Sequence, residues 1–164
     1  MLQARDLGFR HAGASRPLFE GLSLSVSPGE RLALRAPSGF GKTTLCRLLA
    51  GYERPRAGQV LIDGAPLPER GVCRVQLIHQ HPERVLDPRL RMASSLAEAG
   101  EPEGRVLDGL GIQGKWLTRH PHELSGGEMQ RFCIARALTA NPAYLIADEI
   151  TTMLDAVTQA RIWG

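Results

Sequence analysis

The chain has 164 residues, 43% of them hydrophobic and 23% charged, and its formal net charge is +3 at pH 7. This length suits one domain with a hydrophobic core, and the composition excludes an intrinsically disordered chain. Lys and Arg are scattered along the sequence, so the charge indicates no nucleic-acid partner. No apolar run approaches the ~20 residues of a membrane-spanning helix. The sequence also starts without the apolar core of a signal peptide, so we expect a cytoplasmic protein.

The first part of the chain has the pattern of β-strands. Leu2–Phe9 and Leu18–Val26 carry short apolar patches, and in the second patch leucine and valine alternate with serine, as in a half-exposed strand. A Ser-Pro-Gly-Glu turn at 27–30 precedes a further short strand at Arg31–Arg35. Later, Gln59–Ile62 predicts a strand that the turn Asp63-Gly64 closes into a hairpin. We therefore expect antiparallel strands beside the Arg31–Arg35 strand.

The segment Ala36–Thr44, Ala-Pro-Ser-Gly-Phe-Gly-Lys-Thr-Thr, has the character of a phosphate-binding loop. Backbone N–H groups in such a turn point at an anion, Lys42 adds positive charge, and Thr43 offers a hydroxyl to Mg²⁺. Ala36 stands where the pattern G-x-x-x-x-G-K-[ST] has its first glycine, and we expect it to be tolerated only at a negative φ. The alternative is a glycine-rich turn before an ordinary helix, which the apolar spacing predicts over Lys42–Ala50.

The middle of the chain predicts one strand and then a mostly helical segment. Val72–His79 has the character of a strand that ends at Gln80. Residues 81–122 are rich in proline, glycine and charge, with helical patches at Arg91–Ala99 and Gly104–Gly111. We interpret this region as a smaller helical subdomain inserted between strands of a sheet.

A second loop-to-helix junction follows at Leu124-Ser-Gly-Gly. The helix predicted for Glu128–Thr139 is amphipathic, and its buried side is expected to carry Met129, Phe132, Cys133 and Leu138. A Ser-Gly-Gly turn at a helix start is a second potential anion site, because its N–H groups and the helix dipole attract phosphate. The alternative is that Ser125 only caps a structural helix.

The last patterned segment is the apolar run Ala143–Ala147, which is typical of a strand covered on both faces in a parallel sheet. It ends in Asp148 and Glu149, and carboxylates at the carboxyl end of such a strand lie where α/β sheets bind ligands. One acid could hold Mg²⁺ while the other deprotonates an attacking water. The alternative is a solvated turn.

The cysteines and histidines are not expected to form special sites. The three cysteines are far apart, which suits reduced thiols better than disulfides or a metal cluster. Four histidines occur as pairs two residues apart in proline-containing loops, which makes metal binding a poor interpretation. The residues concerned are Cys46, Cys73, Cys133, His79, His81, His120 and His122.

Four elements now stand in one order: Ala36–Thr44, Gln80, Leu124-Ser-Gly-Gly-Glu128 and the strand ending in Asp148-Glu149. Together they resemble the nucleotide-binding subunit of an ABC transporter over essentially the whole chain. The segment after Gln80, with Asp-Pro-Arg at 87–89, and Arg-His-Pro-His-Glu at 119–123 resemble most the dipeptide, oligopeptide and nickel importers.

The resemblance implies an α/β fold, that of a P-loop NTPase. Its RecA-like core would carry an antiparallel β subdomain and an inserted helical subdomain. Residues 1–80 would form the β subdomain and loop core. Residues 81–139 would form the helical subdomain with the signature motif Leu124-Ser-Gly-Gly-Glu128, and residues 140–164 the acidic strand and a D-loop at 152–155. The family continues further, with a switch histidine. No histidine follows Asp148 here, so the chain would be incomplete at its C-terminus.

The resemblance also implies ATP and Mg²⁺ as cofactors, and a role for each matching residue. Glu149 would be the general base. Gln80, catalytic together with it, would sense Mg²⁺ and the γ-phosphate and couple to the membrane subunit, and Thr43 and Asp148 would also serve Mg²⁺. The residues implied to contact ATP are Ser38, Gly39, Phe40, Gly41, Lys42, Thr43, Thr44 and, against adenine, His11; Ser125, Gly126, Gly127 and Glu128 would contact the ATP of the opposite subunit. His11 departs from the usual aromatic residue, and Glu128 from the commoner glutamine.

The implied partners are a second nucleotide-binding subunit, identical or homologous, integral membrane permease subunits and a solute-binding protein. The chain would lie on the inner face of the cell membrane and couple ATP hydrolysis to import. Two alternatives stay open at this point. One is an ATP-switched binding module without transport, and the other is a truncated remnant that binds ATP without hydrolysing it.

Overall fold

Residues 1–150 are described by the computed structural model, in which the chain divides into two units, Met1–Val75 and a second that begins at Gln76. The predicted D-loop at 152–155 lies outside the described residues. The first unit is built on one sheet with the strand order β2-β1-β3-β4. Its elements are β1 (Leu2–Phe9), β2 (Phe19–Val26), helix α1 (Lys42–Leu49), β3 (Ala57–Ile62) and β4 (Ala65–Pro66).

All pairings in this sheet are antiparallel, as the sequence predicts. β1 is the central strand, and Leu2 lies opposite Val26 of β2 and Ile62 of β3. Leu22, Leu24 and Val26 are half-buried while the serines between them are exposed, which confirms the alternation read from the sequence. The turn between β3 and β4 has φ of 53° at Asp63 and 83° at Gly64. Two positive φ values are what a two-residue hairpin loop of type I′ requires.

A bulge in β1 brings its backbone unusually close to β3. The register shifts after Ala4 toward β2 and after Arg5 toward β3, and Asp6 has a φ of 48°. Ser23 Oγ accepts a hydrogen bond from the Asp6 N–H at 2.9 Å, which holds the bulged residue in place. Gly58 sits opposite at a φ of 73°, and a Cβ there would lie 2.2 Å from the carbonyl oxygen of Arg5. Only glycine fits this crossing.

The prediction of a strand at Arg31–Arg35 is wrong. These residues have no regular secondary structure, and the apolar side chains of Leu32 and Leu34 are 49% and 39% exposed. The segment has no partner strand in the sheet of this unit, and an extended segment without a ladder of backbone hydrogen bonds is not a strand. The strand predicted from Val72 likewise begins only at Val75, and the Val72 side chain is 64% exposed.

As far as residue 150, the second unit contains a two-stranded sheet, three helices and three 3₁₀ turns. Among the described residues from Gln76 on, its core is continuous and apolar, with Met92, Trp116 and Phe132 among its buried members. The elements are β5 (Val75–Ile78), which starts one residue before the division, a turn at Pro82–Arg84, α2 (Met92–Ala97), α3 (Gly104–Gly109), turns at Gly114–Trp116 and Pro121–Glu123, α4 (Gly126–Thr139) and β6 (Tyr144–Ala147). The two predicted helical patches are therefore confirmed, in slightly shorter form.

Helix α4 contacts α2, α3 and the Pro82–Arg84 turn, so it is the central element of this unit. Phe132 and Cys133 are buried as predicted, and burial raises the pKa of the Cys133 thiol to about 12. The prediction for Leu138 is wrong, because this side chain is 38% exposed. The buried side runs through Ile134 and Ala137, and Leu138 lies about 100° further round the helix than Ala137.

Strand β6 pairs with β5, but it is not covered on both faces as the sequence predicts, since Leu145 is 42% exposed. The N–H of Asp148 donates to the carbonyl of Ile78 at 3.1 Å, so the carboxyl ends of the two strands meet at one edge. Within residues 1–150, no helix is both long and apolar enough to cross a membrane.

We predict that Gly58→Ala destabilises the protein more than Gly64→Ala does. Both glycines have positive φ, and the alanine strain common to both is about 1–2 kcal/mol. Position 64 is open, whereas at position 58 the new methyl group meets backbone oxygen atoms, which adds about 1–3 kcal/mol. Denaturant unfolding of both variants measures the difference. Equal destabilisation would show that the close crossing of β1 and β3 is not a constraint.

Candidate nucleotide-binding site

The start of α1 in the first unit is built to attract an anion. The first N–H groups of any α-helix have no partner within the helix. Here the N-cap is Gly41, at a φ of 84°, and glycine has no side chain with which to cap them. The first turn consists of Lys42, Thr43 and Thr44, so it carries positive charge and hydroxyl groups and no carboxylate. Thr43 is exposed, which leaves its hydroxyl accessible to a ligand.

The ammonium group of Lys42 folds back over the loop. Its Nζ donates to the carbonyl oxygen of Ala36 at 2.9 Å and lies 3.5 Å from that of Pro37. An open depression of about 490 Å³ lies beside it, lined by these residues together with Leu34 and Arg35. Two cationic side chains therefore border a cavity next to the helix start, and such a cavity favours a phosphate group.

The backbone of the loop meets the condition expected from the sequence, that Ala36 is tolerated only without a positive φ. Ala36 is not among the non-glycine residues of the described chain that have positive φ, so its Cβ is accommodated without strain. Ser38, Gly39 and Phe40 are exposed, and Gly39 has a φ of 83°. Alanine thus replaces the first glycine of the pattern at no conformational cost, and the next two glycines are where positive φ is needed.

The sequence did not predict which side chains pack against the loop at Gly41. A Cβ on Gly41 would lie 2.8 Å from side-chain atoms of both Leu18 and Phe19, so these two side chains pack directly against the glycine. Phe19 pairs with Phe9 across the sheet, and the ring of Phe9 makes an edge-to-face contact with His11 at 5.0 Å between centroids. His11 is exposed and follows β1 at the same end of the sheet.

In the second unit, Ser125 and Glu128 form a capping box at the start of α4. Ser125 Oγ accepts from the Glu128 N–H at 3.3 Å, and the Ser125 N–H donates to Glu128 Oε2 at 2.7 Å. This backbone hydrogen bond holds the pKa of Glu128 below its usual value. Gly126 and Gly127 form the first turn of the helix. Ser125 therefore acts as the N-cap of a helix, which was the alternative to an anion site at this position.

Gln80 and Glu149 meet at the shared edge of β5 and β6. The Gln80 side-chain Nε2 donates to Glu149 Oε2 at 3.2 Å. Glu149 is exposed and has a φ of 51°, a backbone conformation that costs energy for a residue with a side chain and recurs at functional sites. Asp148 beside it is only 5% exposed. A carboxylate this deeply buried is stable when it is paired or coordinates a cation.

The histidines give no sign of a separate metal centre. Among residues 1–150, no group of three or more His, Cys, Asp or Glu side chains is placed to hold a metal ion. His120 and His122 stack on each other with centroids 5.6 Å apart. The His120 N–H donates to Glu123 at 2.7 Å, the same contact three residues apart that Ser125 makes with Glu128.

The order of elements and the loop at α1 define an α/β fold of the P-loop NTPase class. The sequence profile described as ABC transporter matches residues 19–152, and the chain belongs to that family. Both the family and the fold class expected from the sequence are thereby confirmed. A structure of an ATP-binding subunit of an ABC transporter is similar with a TM-score of 0.86, at 25% identity over 99% of this chain and 71% of that one.

The curated relatives that match this chain are longer than it is. The methionine import ATP-binding protein MetN of Caulobacter vibrioides is 36% identical over 99% of this chain and 53% of its own length. The di/tripeptide transport ATP-binding protein DppF of Pseudomonas aeruginosa is 34% identical over 99% of this chain and 58% of its own. The chain thus spans about half the length of the curated relatives it matches. The dimeric bacterial ABC transporter cassette MJ0796 is similar with a TM-score of 0.82, at 25% identity over 99% of this chain and 79% of its own.

We predict that Glu128→Gln makes the stability of the protein less sensitive to acid. The pKa of Glu128 is lower in the folded protein than the ordinary value of 4.5, so its carboxylate stabilises the fold above that pH. This contribution is lost as the pH falls through the lowered pKa. Unfolding measured from pH 7 to pH 3 should therefore show a flatter pH dependence in the variant. Glu101→Gln, which removes one carboxylate from an exposed position, is the control, and equal curves for both variants would contradict the prediction.

Proposed function

We propose that this chain is the ATP-binding part of the energy-coupling subunit of an ABC importer, which hydrolyses ATP to drive uptake of a small solute. The observation that carries the proposal is the start of α1, where an uncapped helix end, Lys42 and an accessible Thr43 hydroxyl occur together. Relatives named as import ATP-binding proteins for methionine and peptides support a peptide or a related small solute as cargo. Nickel is a further candidate from the resemblance of the segment after Gln80.

For nucleotide binding, we propose that Ser38 to Thr44 surround the phosphates of ATP. Lys42 exchanges its two loop carbonyl contacts for the β- and γ-phosphates, since a charge-assisted hydrogen bond to phosphate is stronger than one to a carbonyl. Thr43 offers its hydroxyl to Mg²⁺, and His11 offers its ring to adenine. The packing of Leu18 and Phe19 behind Gly41 keeps the loop in place while the ligand binds and leaves.

For hydrolysis, we propose that Glu149 is the general base. Its exposed carboxylate takes a proton from the attacking water, and the hydrogen bond from Gln80 orients it for this step. The buried carboxylate of Asp148 fits a cation, so we assign it to Mg²⁺ together with Gln80. When bound, MgATP supplies the electrophilic phosphorus and the metal that neutralises the charge developing on the phosphate oxygens.

We further propose that the protein works with a second nucleotide-binding subunit, with membrane permease subunits and with a solute-binding protein, on the cytoplasmic side of the membrane. The chain has two helix starts of glycine-rich sequence, at Gly41 and at Ser125, and each belongs to a different unit. Two such sites fit an arrangement in which the segment Leu124–Glu128 contacts the ATP of the opposite subunit. The similarity to a dimeric cassette supports this arrangement.

We predict that Lys42→Ala weakens ATP binding by about tenfold to a hundredfold. The change removes at least one charge-assisted hydrogen bond, worth about 1.5–3 kcal/mol. Titration calorimetry with ATP in the presence of Mg²⁺ measures the affinity. The matched control is Lys115→Ala, which removes an exposed lysine from the second unit and should bind ATP as the parent does. Unchanged affinity in Lys42→Ala would remove the loop from nucleotide binding.

We predict that Glu149→Gln lowers turnover of ATP by about 10²–10⁴-fold, the usual contribution of a general base, while ATP affinity is retained. Glutamine keeps the size of the side chain but cannot accept the proton. Steady-state phosphate release by the full-length protein, combined with ATP binding, separates the two effects. Glu101→Gln, at an exposed position in the same unit, should turn over normally. Normal turnover in Glu149→Gln would exclude this residue as the base.

A further inference from the structure

Gln130 is an unusual member of the buried side of α4. Its side chain has no exposed surface, and its neighbours along the buried part of the helix include Phe132 and Ile134, which are at most 1% exposed. Moving an amide group from water into apolar surroundings costs energy unless all its polar atoms find partners. A glutamine at this position therefore suggests a role that an apolar side chain could not fill.

The amide group of Gln130 makes one long-range hydrogen bond. Its Nε2 donates to the main-chain carbonyl of His79 at 3.2 Å. A carbonyl oxygen only accepts hydrogen bonds, so the NH₂ end of the amide must face it. Oε1 of Gln130 finds no donor among residues 1–150. Half of the amide is thus satisfied and half is not, and an apolar residue of the same shape would cost less. Stability alone does not account for this residue.

The bonded carbonyl belongs to the residue just before Gln80. On the far side of Gln80, the Pro82–Arg84 turn packs against α4 as well. The helix therefore holds the main chain on both sides of Gln80, and the Gln80 side chain in turn donates to Glu149 Oε2 at 3.2 Å. Gln130 is five residues from Ser125, the N-cap of the same helix. A short series of contacts connects the start of α4 with Glu149.

We propose that Gln130 is a positioning residue, which fixes the His79 peptide so that Gln80 presents its amide to Glu149. It touches neither nucleotide nor water in this role and acts only through Gln80. The inference rests on the proposed function in so far as Glu149 is the base. A merely structural Gln130 would affect folding, whereas a positioning Gln130 affects hydrolysis only while the side chain of Gln80 is present.

The test is a double-mutant cycle in the full-length protein with Gln130→Met, Gln80→Ala and the double variant. Methionine has a similar length and fills the same space without a donor, so we expect folding stability to be retained. We expect Gln130→Met to lower kcat for ATP about tenfold while KM changes less than twofold. In the Gln80→Ala background, the same change should have no further effect. The control is Gln113→Met, at an exposed position in the same unit, which should leave kcat unchanged.

A second measurement does not depend on activity. Hydrogen exchange of a peptide that covers residues 79–84 should be faster in Gln130→Met than in the parent or in Gln113→Met, because the carbonyl of His79 has lost its donor. Unchanged exchange, an undiminished loss of kcat in the Gln80→Ala background, or a normal kcat in Gln130→Met would each overturn the proposal. A parent protein that does not hydrolyse ATP would instead refute the proposed function, and hydrogen exchange would still decide whether Gln130 orders this segment.

Discussion

The backbone donors at the start of a helix are the constraint on which both candidate sites depend. Every α-helix begins with N–H groups that need a partner from outside the helix. In α4 the partner is internal, because Ser125 and Glu128 satisfy donors on each other. In α1 the N-cap is Gly41, which has no side chain to offer. The same physical requirement is thus met in part by side chains of the chain itself in α4, whereas in α1 no side chain caps the helix start.

The sequence predicted the parts of the fold that local chemistry decides. The Asp63-Gly64 turn, the alternation in β2 and the apolar face of α1 depend on residues close together in the chain, and the structure confirms them. The exposed Leu34 and the support of Gly41 by Phe19 depend on which distant segments meet. Periodicity carries no information on such pairings, which is why the Arg31–Arg35 strand was predicted and the packing behind the loop was not.

The candidate site shows the same division. Its residue types could be predicted from the sequence. A lysine after a glycine-rich turn indicates a phosphate site, and two acids after an apolar run indicate a ligand site at the end of a strand. Gln130 could not be found in that way, because a glutamine on a helix is usually a surface residue. The available signal was its place among residues of the buried side of α4, where a polar residue interrupts an apolar face. Its contact with the His79 carbonyl joins residues 51 positions apart and appears only in the folded chain.

Glu128 shows how a capping residue and a phosphate contact compete for the same groups. Its carboxylate already accepts the N–H of Ser125, the residue implied to meet a phosphate from the opposite subunit. Its lowered pKa keeps it ionised at neutral pH, so the start of α4 carries a full negative charge that offsets the positive end of the helix dipole. A phosphate approaching Ser125 would meet this charge, whereas glutamine could make the same cap without it. Binding at this helix therefore requires the Glu128 side chain to turn away, or the phosphate to rely on the N–H groups of Gly126 and Gly127, which the carboxylate leaves to the ligand.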